Sequence, residues 1–193
     1  MYQTLIIAFL FSITGSGLEP YAAQACVSEQ EMQLYELIND YRREHNLPAI
    51  PLSPSLCFVA GAHVWDLNAN QPDRGRCNMH SWSDSGPWAE CCYTDDHKRA
   101  RCIWSKPAEL TAYKGSGYEI AYYSSWPADE HQDMAGAAME GWIESPGHKQ
   151  MIINKYAWKR LKWNAMGVGI YGNYAVVWFG EKKDPVRKVK RCP

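Results

Sequence analysis

Residues 166–181 read MGVGIYGNYAVVWFGE. Gly172 and Asn173 sit as a two-residue turn between Val168 to Tyr171 and Tyr174 to Phe179, so the stretch predicts a β-hairpin. The second strand, AVVWFG, is apolar at nearly every position. A strand of that kind needs cover on both faces, which requires helices above and below the sheet and an α+β class.

Upstream, the helices are legible. Ser28 and Glu31 form a capping-box signature, and Leu34, Leu37, Ile38 and Tyr41 recur at helical spacing to about Asn46. Ser53 and Pro54 open a second helix reaching about Asn68, with Leu56, Val59, Ala60, His63 and Leu67 on one face. On that apolar stripe His63 reads as a hydrogen-bonded core histidine rather than a ligand. From about Asp129 the spacing of Met134, Ala137, Ala138 and Trp142 predicts another helix, which Ser145, Pro146 and Gly147 interrupt. Ser145 then caps a short helix with His148 in its first turn, where the helix dipole favours a neutral imidazole. Residues 69–117 show no sustained periodicity and read as a long loop, functional or cross-linked.

The chain has 193 residues, 20 Lys and Arg against 21 Asp and Glu, and a net charge of -1. That balance argues against a broadly basic nucleic-acid binder. With 46% hydrophobic residues, nine Trp and 12 Tyr, the chain can bury enough apolar surface to form one domain. Leu5 to Ile13 form an apolar run far shorter than the roughly 20 residues a membrane span needs. No other segment is long enough either, so a transmembrane helix is not expected. The run reads as the core of a signal peptide over residues 1–25, with small residues before a cut after Gly17 or, preferably, after Ala25. The expected location is secreted or periplasmic. Seven cysteines (26, 57, 77, 91, 92, 102 and 192) then imply a disulfide-stapled domain, and six of them allow 15 pairings. The odd count admits lipid anchoring through Cys26 as a minor route. A competing reading makes Cys77, His80, Cys91, Cys92, His97 and Cys102 zinc ligands, although their spacing matches no regular finger. Residues 182–193 form a basic tail, and with Glu181 the segment carries six bases against two acids. Most such tails are simply solvated.

Six motifs in order resemble the CAP superfamily of cysteine-rich secretory proteins, insect venom antigens and plant pathogenesis-related class 1 proteins. They are LINDYRREHNLPAIPLSPSL (37–56), AGAHVWDLN (60–68), MHSWS (79–83), GYEIAYY (117–123), GWIESPGHKQMIIN (141–154) and the hairpin of 166–181. The set looks closest to the bacterial branch. The resemblance implies an α-β-α sandwich with a small antiparallel sheet, here over residues 26–181, and a cleft with two histidines and two glutamates. Carried over, these are His80, Glu119, Glu144 and His148. Glu144 departs from the pattern, standing two residues after Trp142 where the family places its acid three after. One residue turns a helical side chain by about 100°.

Two imidazoles with carboxylates suit a divalent metal such as zinc, held by His80 and His148, with Glu119 and Glu144 as acid-base groups. The same groups also suit a buried polar network that locks the loop. Three functions stay open. One is a largely non-enzymatic binding module for a metal or a small apolar or amphipathic ligand, such as the sterol or fatty acid the resemblance implies. The second is a zinc-assisted hydrolase with Glu119 as base. The third is an extracellular interaction or defence factor whose protein partner touches the loop of residues 84–116.

Overall fold

The computed structural model describes residues 26–125 and 133–193. The signal-peptide reading and the helix onset near Asp129 lie outside them. In chain order the elements are β1 (Cys26–Val27), α1 (Glu29–Glu44), α2 (Pro54–Asn70), α3 (Ala100–Trp104), α4 (Lys106–Leu110) and β2 (Gly117–Tyr123). Then follow α5 (Met134–Glu144), α6 (Pro146–Ile152), a 3-10 turn (Tyr156–Trp158), β3 (Ala165–Tyr171), β4 (Tyr174–Gly180) and β5 (Lys190–Arg191).

The hairpin forms as expected, and β4 is the centre of a three-stranded antiparallel sheet ordered β2-β4-β3. Every residue of β4 is buried. Alternation splits the strand between two cores: Val176 and Trp178 pack with Leu56, Val59 and Leu67 of α2. Val177 and Phe179 pack with Leu34 and Ile38 of α1, Trp142 of α5 and Ile152 of α6. The α-β-α layering thus follows from one fully apolar strand. On β3, Gly167 and Gly169 let the α2 backbone lie directly on the sheet. A Cβ at Gly167 would come within 2.1 Å of the Leu56 carbonyl carbon, and one at Gly169 within 2.6 Å of the Ala60 carbonyl carbon.

The helix signals hold at α1 and α2. Ser28 and Glu31 exchange both capping-box hydrogen bonds, and Ser53 caps α2 with Pro54 at its first position. Ser145 precedes α6, but its side chain makes no capping hydrogen bond. Two further expectations change. The stretch 69–117 is not loop throughout: it contains α3 and α4, each five residues and too short to produce a readable period. The tail is exposed in its side chains yet pinned along its backbone. The Tyr113 hydroxyl donates to the Lys182 carbonyl at 2.7 Å and accepts from its N–H at 3.0 Å. Asp184 accepts from the Ser55 N–H at 2.8 Å and from the Ser53 and Ser55 hydroxyls. At the far end β5 pairs in parallel with β1, beside the Cys26–Cys192 disulfide.

The other disulfides are Cys77–Cys92 and Cys91–Cys102, and Cys57 is the free thiol. All four loop cysteines are therefore spent on sulfur, which removes the thiolates that a structural zinc would need. Likewise the Cys26 sulfur is bonded to Cys192 and offers no thiol for a lipid.

Candidate functional site

Glu119 is the third residue of β2, an edge strand, opposite Trp178 in the register. Its side chain is 1% exposed. Across from it, α2 delivers His63, fully buried and stacked on Trp82 with ring centroids 4.3 Å apart. His63 Nδ1 lies 2.5 Å from Glu119 Oε1, and Nε2 lies 2.9 Å from the Ser81 carbonyl oxygen. A carbonyl can only accept, so Nε2 carries a proton; with Nδ1 donating to the carboxylate as well, the ring is an imidazolium. Burial pushes the His63 pKa down, but the Glu119 charge and hydrogen bond outweigh it, and the net direction is up. Burial likewise works to raise Glu119, and the two histidines overcome it, so its carboxyl is held below the usual range.

The second carboxylate oxygen serves His80. Its Nδ1 donates to Glu119 Oε2 at 2.8 Å, which orients the ring and leaves Nε2 as the nitrogen with no hydrogen-bond partner among the described residues. His80 is 24% exposed in its side chain, so that nitrogen sits beside open space. His148, from α6, has a buried Nδ1 with no hydrogen-bond partner among the described residues. Its pKa is lowered, by burial first and by the charge of His80 second. The neutral imidazole expected from the helix dipole is thus reached mainly through desolvation.

His80, Glu119 and His148 line one cavity of about 460 Å³, whose walls include Tyr93, Ile103, Trp104, Tyr118, Met151 and Trp158. His148 also borders a second recess of about 530 Å³, with Met79, Tyr122, Trp142 and Tyr174. Three of the four carried-over residues are therefore together. Glu144 is not: it is exposed and lines a separate recess of about 300 Å³ with Ile143, Lys149 and Tyr156. Its offset from Trp142 puts it on the solvent side of α5. Sequence reasoning placed His63 in the core without joining it to the site. The available signal was its two ring nitrogens, which on an apolar face demand two buried partners. His97 also lines the cavity, hydrogen-bonded through Nδ1 to the Tyr93 hydroxyl at 2.9 Å.

Among the described residues no group of three or more His, Cys, Asp or Glu side chains is arranged to hold a metal ion. The reason is visible in Glu119, whose two oxygens are committed to imidazoles. His80 Nε2 and His148 are the nitrogens left for a cation.

No helix among the described residues is long and apolar enough to cross a membrane. No curated protein matches the sequence. The fold is similar to that of an extracellular SCP-domain protein of Bacillus anthracis str. Ames, at 20% identity and a TM-score of 0.53, over 79% of this chain and 40% of that one. It is also similar to an outer surface protein of Borrelia burgdorferi, at 19% identity and a TM-score of 0.51, over 80% of this chain and 95% of that one. The chain thus spans well under half of the Bacillus protein and nearly all of the Borrelia one. The sequence model of the CAP, or cysteine-rich secretory protein, family matches residues 35–176. That span runs from α1 into β4 and takes in His63, His80, Glu119 and His148, and on it the chain belongs to the CAP family.

Proposed function

We propose that the chain acts outside the cytoplasm as a binding domain whose histidine cleft takes a small amphipathic ligand, with no covalent chemistry of its own. The observation that carries this reading is the make-up of the 460 Å³ cavity. Aromatic and aliphatic walls offer an apolar body its contacts, while His80 Nε2 and His148 offer a polar end two imidazoles. Three disulfides suit an oxidising compartment. A sterol or fatty acid has the right balance of apolar bulk and polar tip. Glu119 is a poor general base, because its carboxyl is held low and both oxygens are hydrogen-bonded. That argues against the hydrolase alternative in its original form.

Zinc fits in a reduced form. His80 Nε2 and the unpartnered His148 would be its ligands, and a bound zinc would supply a Lewis acid beside the apolar walls. The test is native mass spectrometry and lipid extraction of the exported protein, beside zinc calorimetry of wild type and a His80→Ala, His148→Ala double variant. Co-purifying lipid, reduced in the double variant, is the expected result. Lipid-free protein that also takes up none when offered fatty acid or sterol would overturn the reading, whatever zinc does. A protein partner at residues 84–116 would survive the double variant and fail on loop substitutions.

A further inference from the structure

Three segments distant in sequence end at the same edge of the sheet. Gly117 and Ala165 both pair with Gly180, so the residues before β2, before β3 and after β4 are neighbours. Asn164 ties them further, donating from its backbone to the Gly180 carbonyl at 2.8 Å and from its side chain to the Glu181 carbonyl at 2.7 Å. Those segments bring Lys114, Lys162, Lys182 and Lys183 to one end of the molecule, all exposed. The stem of Lys182 lies over Gly115, its Cγ 2.9 Å from where a Cβ would be. Next to it is a recess of about 550 Å³ lined by Arg101, Trp104, Ser105, Lys114, Gly115 and Ser116, with no acidic residue in its wall.

None of these five cations makes an ion pair or side-chain hydrogen bond among the described residues. The neighbouring carboxylates are Glu181 and Asp184, and Asp184 is spent on Ser53, Ser55 and the Val186 N–H. Hydrogen bonds from neutral donors leave Asp184 charged, but five cations against these two carboxylates still make this end of the sheet net positive, and the pins at Tyr113 and Asp184 hold it in place. Trp104 is 41% exposed in the same recess. An exposed indole face beside hydroxyls and cations suits a sugar ring that carries an acid group.

We propose that this end of the sheet binds an anionic polysaccharide, carboxylated or sulfated, with Trp104 under a sugar ring and Arg101, Lys114, Lys162, Lys182 and Lys183 on its acid groups. The site is outside the proposed ligand cleft, although Trp104 borders both cavities. A flat anionic membrane would engage the lysines but has no use for a recessed indole, so the saccharide is favoured.

The disulfide-intact protein is titrated with polygalacturonate, a heparin fragment, neutral dextran and phosphatidylserine vesicles. Binding to either acidic polysaccharide and not to dextran is expected, weakened at least about tenfold between 0.05 and 0.2 M salt, as for other polyanions. Lys114→Glu, Lys182→Glu, Lys183→Glu should lose about tenfold or more in affinity, with an unchanged melting temperature. The charge-matched triple Arg187→Glu, Lys188→Glu, Lys190→Glu should lose less than about twofold if the site is local rather than diffuse. Trp104→Ala should weaken binding severalfold without altering the salt dependence, and His80→Ala should leave it intact. Equal loss in the two triples, binding to vesicles alone, or a Trp104→Ala variant at full affinity would each overturn the proposal.

Discussion

Glu119 joins two of the site's histidines, His63 buried and His80 partly open, and its energetics with His63 are those of a buried ion pair. Removing one charge leaves the other stranded. Glu119→Gln should therefore cost about 3–5 kcal/mol in urea unfolding, and His63→Leu a similar amount. The double variant Glu119→Gln, His63→Leu should lose far less than the sum of its two singles, a coupling that a double-mutant cycle reads directly. The pH dependence follows with a definite sign. Glu119 is lowered from 4.5, so its contribution is present above that pH and is lost as pH falls through the folded value. His63 is raised from 6.5, so its contribution is full below that pH and is lost as pH rises through the folded value. Stability from this pair should form a plateau between pH 4.5 and 6.5 and decline on either side; Glu119→Gln should flatten the profile. A pH profile unchanged by that substitution would contradict the assignment. At Cys57, burial raises the thiol to about 12. Native protein at pH 8 should resist alkylation, and unfolding without reduction should expose one reactive thiol per chain.

At the scale of elements, the contact of α2 with β3 is the least forgiving, because it is backbone against backbone. Gly167→Ala places a methyl 2.1 Å from the Leu56 carbonyl carbon. The helix must lift, carrying His63 with it, and we expect a loss of at least about 1–3 kcal/mol measured by thermal unfolding. Weaker binding at the cleft should accompany it, since His63 orients Glu119 and through it His80. The control is Gly147→Ala, in a turn of α6 where the added methyl meets nothing within 4 Å. Its melting temperature should stay within a degree or two of wild type.

For the molecule as a whole, the Cys26–Cys192 bridge is the widest constraint, joining residues 166 apart. In the chain-entropy treatment a closed loop of this size is worth about 5 kcal/mol, against about 3 for the 15-residue separation of Cys77–Cys92. Cys26→Ser with Cys192→Ser should thus lower the unfolding free energy more than Cys77→Ser with Cys92→Ser. The two losses should separate in consequence as well. The first frees only the far end of the basic tail, beyond the pins at Tyr113 and Asp184, and should leave polyanion binding within about twofold; the second should loosen the wall around His80 and Tyr93.

Much of the fold was legible in single stretches: the turn at Gly172 and Asn173, the all-apolar β4, the caps at Ser28 and Ser53, and Pro146 at the head of α6. These signals are local, set by backbone preference and by the period of apolar residues, so they survive without tertiary knowledge. His80, Glu119 and His148 were legible through their motifs, but not the bonds between them. Which histidine Glu119 would neutralise, that Glu144 faces solvent, that Cys26 reaches Cys192, and that four lysines from three segments meet at one edge are matters of register and packing. A hydrogen bond is decided within tenths of an ångström and a charged neighbour within a few, and only the closed sheet with its two helix layers brings residues 63, 80, 119 and 148 that near.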